Sequence, residues 1–118
     1  MSLDVHLIIK EEVCPTCGRG KSEEEVFWAN ITHNLNTMAG EAGIYEHLWR
    51  PEEIGITTAA QLIEPLQTGI ILMEREPERF IALEPSNKWG TYRDFIPWLK
   101  NYLEACEKHP TAFVQVSR

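Results

Sequence analysis

No stretch of this 118-residue chain approaches the ~18 consecutive apolar residues of a membrane-spanning helix, and its beginning lacks the charged-then-apolar pattern of a secretory signal. A membrane is therefore not expected as a partner, and the expected location is cytoplasmic. Cations are scarce, with 11 Lys and Arg against 18 Asp and Glu and a net charge of −7. A nucleic-acid backbone or an anionic lipid surface attracts clustered Lys and Arg, and the one short cluster here is Arg19 with Lys21. That balance argues against both as main partner. Cysteine is also scarce, at three, an odd number that in a reducing compartment reads as thiols or metal ligands rather than a disulfide framework. The sequon Asn30-Ile31-Thr32 is then a coincidence of composition. Internal repeats, low-complexity tracts and domain boundaries are missing too, so residues 1–118 read as a single domain, long enough for a core without covalent staples.

What is present begins with a period of two. Leu3, Val5, Leu7 and Ile9 alternate with Asp4, His6, Ile8 and Lys10, the pattern of a half-buried strand. Cys14 to Ser22 is dense in Gly, Pro and polar residues and reads as a tight connection. Glu23 to Ile31 then forms a second strand antiparallel to the first, with Trp28 expected in the core. Thr32 or Asn34 caps the helix that follows, whose core positions are Leu35, Met38, Ala39 and Ala42 and whose stop is Gly43. Ile44 to Arg50 is a short helical piece with Leu48 and Trp49 inward, ended by Pro51, and Glu52 to Ile56 is a loop.

Thr57 or Thr58 starts the next helix, in which Ala59, Leu62, Ile63, Leu66, Ile70 and Met73 follow a 3.6-residue stripe and Pro65 predicts a kink. Pro77 opens a short helix carrying Phe80, Ile81 and Leu83, and Pro85 to Gly90 is a loop. The last helix carries Phe95, Trp98, Leu99, Tyr102, Leu103 and Cys106 inward and is signalled by Thr91 with Asp94 three residues on. Pro97 leaves two options: a separate first turn with Asp94 as the true cap, or a bent helix. Pro110 closes it, and Ala112, Val114 and Val116 alternate as a third strand. The fold class that results is α+β, a small three-stranded, mainly antiparallel sheet with three to five helices packed on one face.

Chemistry is sparse. Cys14-Pro15-Thr16-Cys17-Gly18 is a C-x₂-C turn that supplies half of a zinc site, and Cys106 with His109 is the candidate other half. Cys106 equally fits the apolar stripe of its helix, where a buried free thiol is common. A thioredoxin-type reading fits less well, because a strand rather than a helix follows the motif. Gly18-Arg19-Gly20-Lys21-Ser22 imitates the end of a phosphate-binding loop, but Pro15 stands where that pattern requires Gly. His33 and Asn34 sit where the second strand becomes a helix, a place for a general base and a ligand-orienting amide or, more simply, for side chains that satisfy local backbone. Trp49, and Trp89 with Tyr92 around Gly90, are aromatic residues beside helix ends or loops, where rings line grooves or plug a loop from beneath.

Several segments together resemble a group of short proteins from bacterial phages, prophages and bacterial genomes. They are Leu3-Asp4-Val5-His6-Leu7, Ala29-Asn30-Ile31-Thr32-His33-Asn34-Leu35, Gly43-Ile44-Tyr45, Trp49-Arg50-Pro51, Trp89-Gly90-Thr91-Tyr92 and Val116-Ser117-Arg118. In that group Asn-Ile-Thr-His/Tyr-Asn follows a short strand. The resemblance implies an accessory protein and carries no catalytic assignment, and relatives with a cysteine-free turn in place of Cys14 to Gly18 make any metal an embellishment. The leading expectation is a non-enzymatic protein that binds a protein partner or a second copy of itself. Its candidate binding residues are Asn30, His33, Asn34, Trp49, Trp89 and Tyr92. The rival expectations are a small enzyme or ligand-binding protein around His33 and Asn34, and a zinc-stabilised adaptor.

Overall fold

The computed structural model describes residues 2–11, 22–84 and 90–118. Two strands, β1 (Ser2–Glu11) and β2 (Ser22–Thr32), pair antiparallel, and β3 (Phe113–Ser117) returns along the other side of β1, so the sheet order is β2-β1-β3. Between β2 and β3 run α1 (Asn36–Glu41), α2 (Tyr45–Trp49), α3 (Ala60–Arg75), α4 (Pro77–Ile81) and α5 (Tyr92–Lys108). This is the α+β architecture that the alternating and 3.6-residue patterns predict.

The alternation of β1 divides the sheet into two unlike faces. Leu3, Val5 and Leu7 are completely buried beneath the helices, and each such side chain contributes about 1.5–3 kcal/mol relative to exposure. Leu62, Leu66 and Met73 of α3 and Phe95, Leu99 and Tyr102 of α5 complete the core from the helical layer. Asp4, His6 and Ile8 point the other way, onto a face with a substantial exposed aromatic. The registers place three rows across it: Asn30–Asp4–Ser117, Trp28–His6–Gln115 and Glu25–Ile8–Phe113.

Trp28 does not lie in the core as expected; it is 57% exposed. The cause is register. Leu7 pairs with Phe27 but Ile8 pairs with Glu25, so Val26 is the extra residue of a β-bulge. Val26 and Phe27 both turn toward α5, where Phe27 stacks on Tyr102 with ring centroids 5.7 Å apart. Trp28, opposite His6, is thereby committed to the open face.

The helix ends follow local chemistry, with two departures from expectation. Thr91 accepts from the Asp94 N–H at 3.2 Å, so α5 begins at Tyr92 and contains Pro97 without a separate first turn. α3 likewise continues through Pro65. Thr57 and Thr58 do not cap α3 with their own oxygens; Gln61 Oε1 reaches back to accept from the Thr57 and Thr58 N–H groups at 2.6 and 3.0 Å. The expected loop after Pro51 contains a 3₁₀ turn, Pro51–Ile54. Gly43 ends α1 as expected, at φ +78°.

Gly90 is the most tightly fitted of the described glycines. It has φ +99°, and a Cβ added there would stand 2.6 Å from Thr32 Cγ2 and 2.9 Å from Leu35 Cγ. The segment entering α5 is thus pressed directly against the strand-to-helix corner at the end of β2. Gly90→Ala is expected to destabilise the protein by roughly 2–4 kcal/mol, combining positive-φ strain with overpacking; urea unfolding measures this, and a loss under about 0.5 kcal/mol contradicts the packing described.

Candidate functional site

The corner between β2 and α1 is built by short-range hydrogen bonding. Thr32 Oγ1 accepts from the Asn34 N–H at 3.3 Å, turning the chain through His33–Leu35 into α1. The Asn34 side chain is exposed. The Asn30 side chain donates to Ser2 Oγ at 2.9 Å and Asp4 Oδ1 at 2.7 Å, while its backbone carbonyl accepts from the Trp98 indole at 3.0 Å. Asn30 therefore ties β2 to β1 on one face and the edge of β2 to α5.

His33 is engaged by Trp49. The Trp49 indole N–H donates to His33 Nδ1 at 3.2 Å, and the rings meet edge to face with centroids 6.2 Å apart. An accepting Nδ1 fixes the tautomer, placing the proton of the neutral ring on Nε2. Nε2 is itself buried without a hydrogen-bond partner among the described residues. Trp49 is 1% exposed, stacks on Tyr45 at 5.6 Å, and offers its backbone carbonyl to Arg118 at 2.7 Å. It is a core residue joining three parts of the chain, not the wall of a groove. The nitrogen of His33 that a general base would use for proton abstraction is committed to this contact.

Tyr92 is also an anchor. Its hydroxyl donates to the Met73 carbonyl at 2.9 Å and its N–H donates to Glu84 Oε1 at 2.9 Å, fastening the start of α5 to α3. Trp89, Cys14 and Cys17 lie outside the described residues. Cys106 is fully buried, and burial, with the Glu107 charge adding to it, pushes its thiol up to about 12. His109 is half-buried at the end of α5, where its N–H donates to the Ala105 carbonyl at 2.9 Å. Among the described residues no group of three or more His, Cys, Asp and Glu is placed to hold a metal.

Among the described candidates the side chains serve separate contacts: Asn30 bonds to β1, Trp49 meets His33, Tyr92 ties α5 to α3, and Asn34 is exposed. The surface that does assemble is the open face of the sheet. There Trp28 is 57% and Phe113 38% exposed, Ile8 is half-buried between them in the rows, and the His6 ring hydrogen-bonds through Nδ1 with the Glu25 carboxylate across the bulge. Sequence reasoning missed Trp28, His6 and Phe113. The alternation of Asp4, His6 and Ile8 against Leu3, Val5 and Leu7 contained the signal for β1, but the bulge that orients Trp28 has no sequence mark of its own.

The chain matches no family model, no curated protein and no solved structure with which it was compared.

Two outcomes follow from the buried polar groups. His33→Ala leaves the Trp49 indole N–H buried without its acceptor, so a loss of about 1–3 kcal/mol is expected in urea unfolding; a double-mutant cycle with Trp49→Phe should return a coupling of about 0.5–1.5 kcal/mol, and zero coupling refutes the contact. At alkaline pH the unfolded chain releases the Cys106 proton near its ordinary pKa of ~8.5, whereas the folded chain retains it to about 12, so stability is full below that lower value and falls as pH rises through the interval. Tyr102, whose phenol burial holds well above its ordinary range, adds loss in the same direction. Cys106→Ala should flatten the pH 8.5–10 part of the stability profile, with thermal melts as the readout.

Proposed function

We propose that this chain is a non-enzymatic interaction protein of the phage or prophage accessory type, working in the cytoplasm and engaging a protein partner through the open face of its sheet. The observation that carries the reading is Trp28, 57% exposed on the sheet face opposite the helices. Exposing a tryptophan costs free energy that monomeric proteins ordinarily avoid by burial, and aromatic rings supply large contact area at interfaces with few rotors to immobilise. Phe113 and the aliphatic Ile8 extend the apolar area across all three strands, and the His6–Glu25 pair and the Asn30–Asp4 hydrogen bond give it a polar border. That combination of apolar centre and polar rim is the anatomy of a protein interface.

Three further points support this reading over its rivals. The net charge of −7 disfavours nucleic acid. Among the described residues no helix is long and apolar enough to cross a membrane. The enzyme alternative depends on His33, whose Nδ1 already accepts from the buried Trp49.

Trp28→Ser tests the proposal, because substitution at an exposed site should change stability by less than about 1 kcal/mol. Light scattering on a size-exclusion column across a concentration series, and pull-down from a bacterial host lysate, are expected to find a self-associated state or a retained protein partner for the unmodified chain. The serine variant should weaken that association by about tenfold or more, as for a hot-spot aromatic. A strict monomer that retains nothing, or an association indifferent to Trp28, overturns the reading.

A further inference from the structure

The segment entering α3 has the composition of a strand, but only its last residue is paired as one. In Ile54-Gly55-Ile56-Thr57-Thr58 every residue except Gly55 is β-branched, which favours a pleated, paired backbone. Thr58 bridges Phe113 of β3 antiparallel, and the Ala59 N–H donates to the Ala112 carbonyl at 2.9 Å. The Val114 N–H donates to the Thr57 carbonyl, also at 2.9 Å. Continued in that register, Thr57 lies against Val114, Ile56 against Gln115 and Gly55 against Val116. The next two bonds of such a ladder run from the Thr57 N–H to the Val114 carbonyl and from the Val116 N–H to the Gly55 carbonyl.

One side chain holds both of the groups that residues 55–57 would contribute. Gln61 Oε1 accepts from the Thr57 N–H at 2.6 Å, and Gln61 Nε2 donates to the Gly55 carbonyl at 3.3 Å. The Gln61 carboxamide thus offers this segment an acceptor and a donor in the order in which the β3 edge offers them at Val114 and Val116. A cavity of about 390 Å³ is lined by Pro51, Glu52 and Ile56 together with Val114 to Ser117. The segment is fixed on either side of residues 55–57. Arg118 ion-pairs with Glu52 and donates to the Trp49 carbonyl at 2.7 Å, and Thr57 keeps its carbonyl on Val114. Between these points the Gly55 and Ile56 N–H groups share the Pro51 carbonyl, and Gly55 has φ +75°. Glycine passes from that angle to an extended one without a Cβ penalty.

We infer that residues 55–57 are a strap with two docking places, the Gln61 carboxamide and the β3 edge, and that the strap moves between them. On Gln61 the cavity beside Val116 is open. On β3 the strap becomes a fourth strand of the sheet, Ile56 comes to lie against Gln115, and the cavity is closed. The exchange is close to balanced. Closing gives up the bonds to Gln61 and to the Pro51 carbonyl. It forms those of Thr57 with Val114 and of Gly55 with both backbone groups of Val116, and the strand preference of Ile56 and Thr57 acts in the same direction. Gln61 is therefore the catch of a conformational device that controls access to the cavity at His6 and Gln115. The inference does not rest on the open-face reading, since Trp28 belongs to β2, on the other side of β1 from this edge.

The test uses the full chain, labelled with nitrogen-15, and reads hydrogen exchange at the Val116 amide. Gln61→Ala removes the rival docking place and should slow that exchange by about tenfold or more. A short Hα–Hα contact between Ile56 and Gln115, the mark of a non-hydrogen-bonded antiparallel pair, should appear with it. Gly55→Ala leaves Gln61 in place and penalises the positive φ; an added Cβ meets no atom within 4 Å, so the change acts through the backbone angle alone. It should move both readouts in the same direction, and it decides the matter by itself if Gln61→Ala fails to fold. Exchange at Val116 that is unchanged or faster in the folded variants overturns the proposal. So does slowing shared equally by the Leu3 and Val5 amides, which marks a global gain in stability. Protection that grows with protein concentration also overturns it, because the edge is then covered by a second copy and not by the strap.

Discussion

The strict alternation of β1 is the constraint on which the rest of the molecule depends. As the central strand it is paired on both sides, so each of its residues is assigned to one of two faces with no freedom left. Leu3, Val5 and Leu7 demand a cover, and α3 and α5 supply it with their own apolar stripes. Asp4, His6 and Ile8 make no such demand. The helices therefore collect on one side, and the second face of the sheet is left to solvent or to a partner.

Around that strand the molecule is fastened by a few polar contacts between distant segments. Trp49 links the corner at His33 to α2 and to Arg118, Trp98 reaches the carbonyl of Asn30, and Tyr92 ties α5 to α3. Gly90 is fitted against Thr32 and Leu35 where a side chain has no room. These contacts account for the residue types at the strand-to-helix corner more simply than a reaction does. Thr32 turns the chain, Asn30 clamps it and His33 receives an indole proton. A histidine beside an asparagine suggests chemistry in the sequence; in space the two side chains serve unlike surroundings.

The two surfaces left over are of different kinds. The open face offers side chains, chiefly Trp28, and suits a broad contact. The β3 edge is partly covered, by Thr57 and Ala59 through backbone bonds and by Pro51, Glu52 and Ile56 beside Val114 and Val116. Both exist because the helical layer covers only one face and because Gln61 draws off the N–H that would have lengthened the intramolecular ladder.

Most of the architecture was legible from the chain. The period of two in residues 3–9, the 3.6-residue stripe of Leu62, Leu66, Ile70 and Met73, and the Thr91–Asp94 cap depend on neighbours in sequence, and each forms where its pattern predicts. The fate of Trp28 was not legible: it was expected inside and is outside. Trp49 is buried, as its inward place on the short helix predicts, and not a groove residue. The reversal at Trp28 arises from a pairing between residues far apart, the register of β2 on β1, shifted by the bulge at Val26, and the partner Trp49 finds in His33 is equally distant in sequence. Local pattern thus determined the elements, their order and the face β1 turns to the core, because those follow from backbone geometry and hydrophobic spacing over a few residues. Tertiary structure alone decided which rings are buried, which N–H groups find acceptors and which edge stays open, because each of these is settled by a partner whose position no short stretch of sequence encodes.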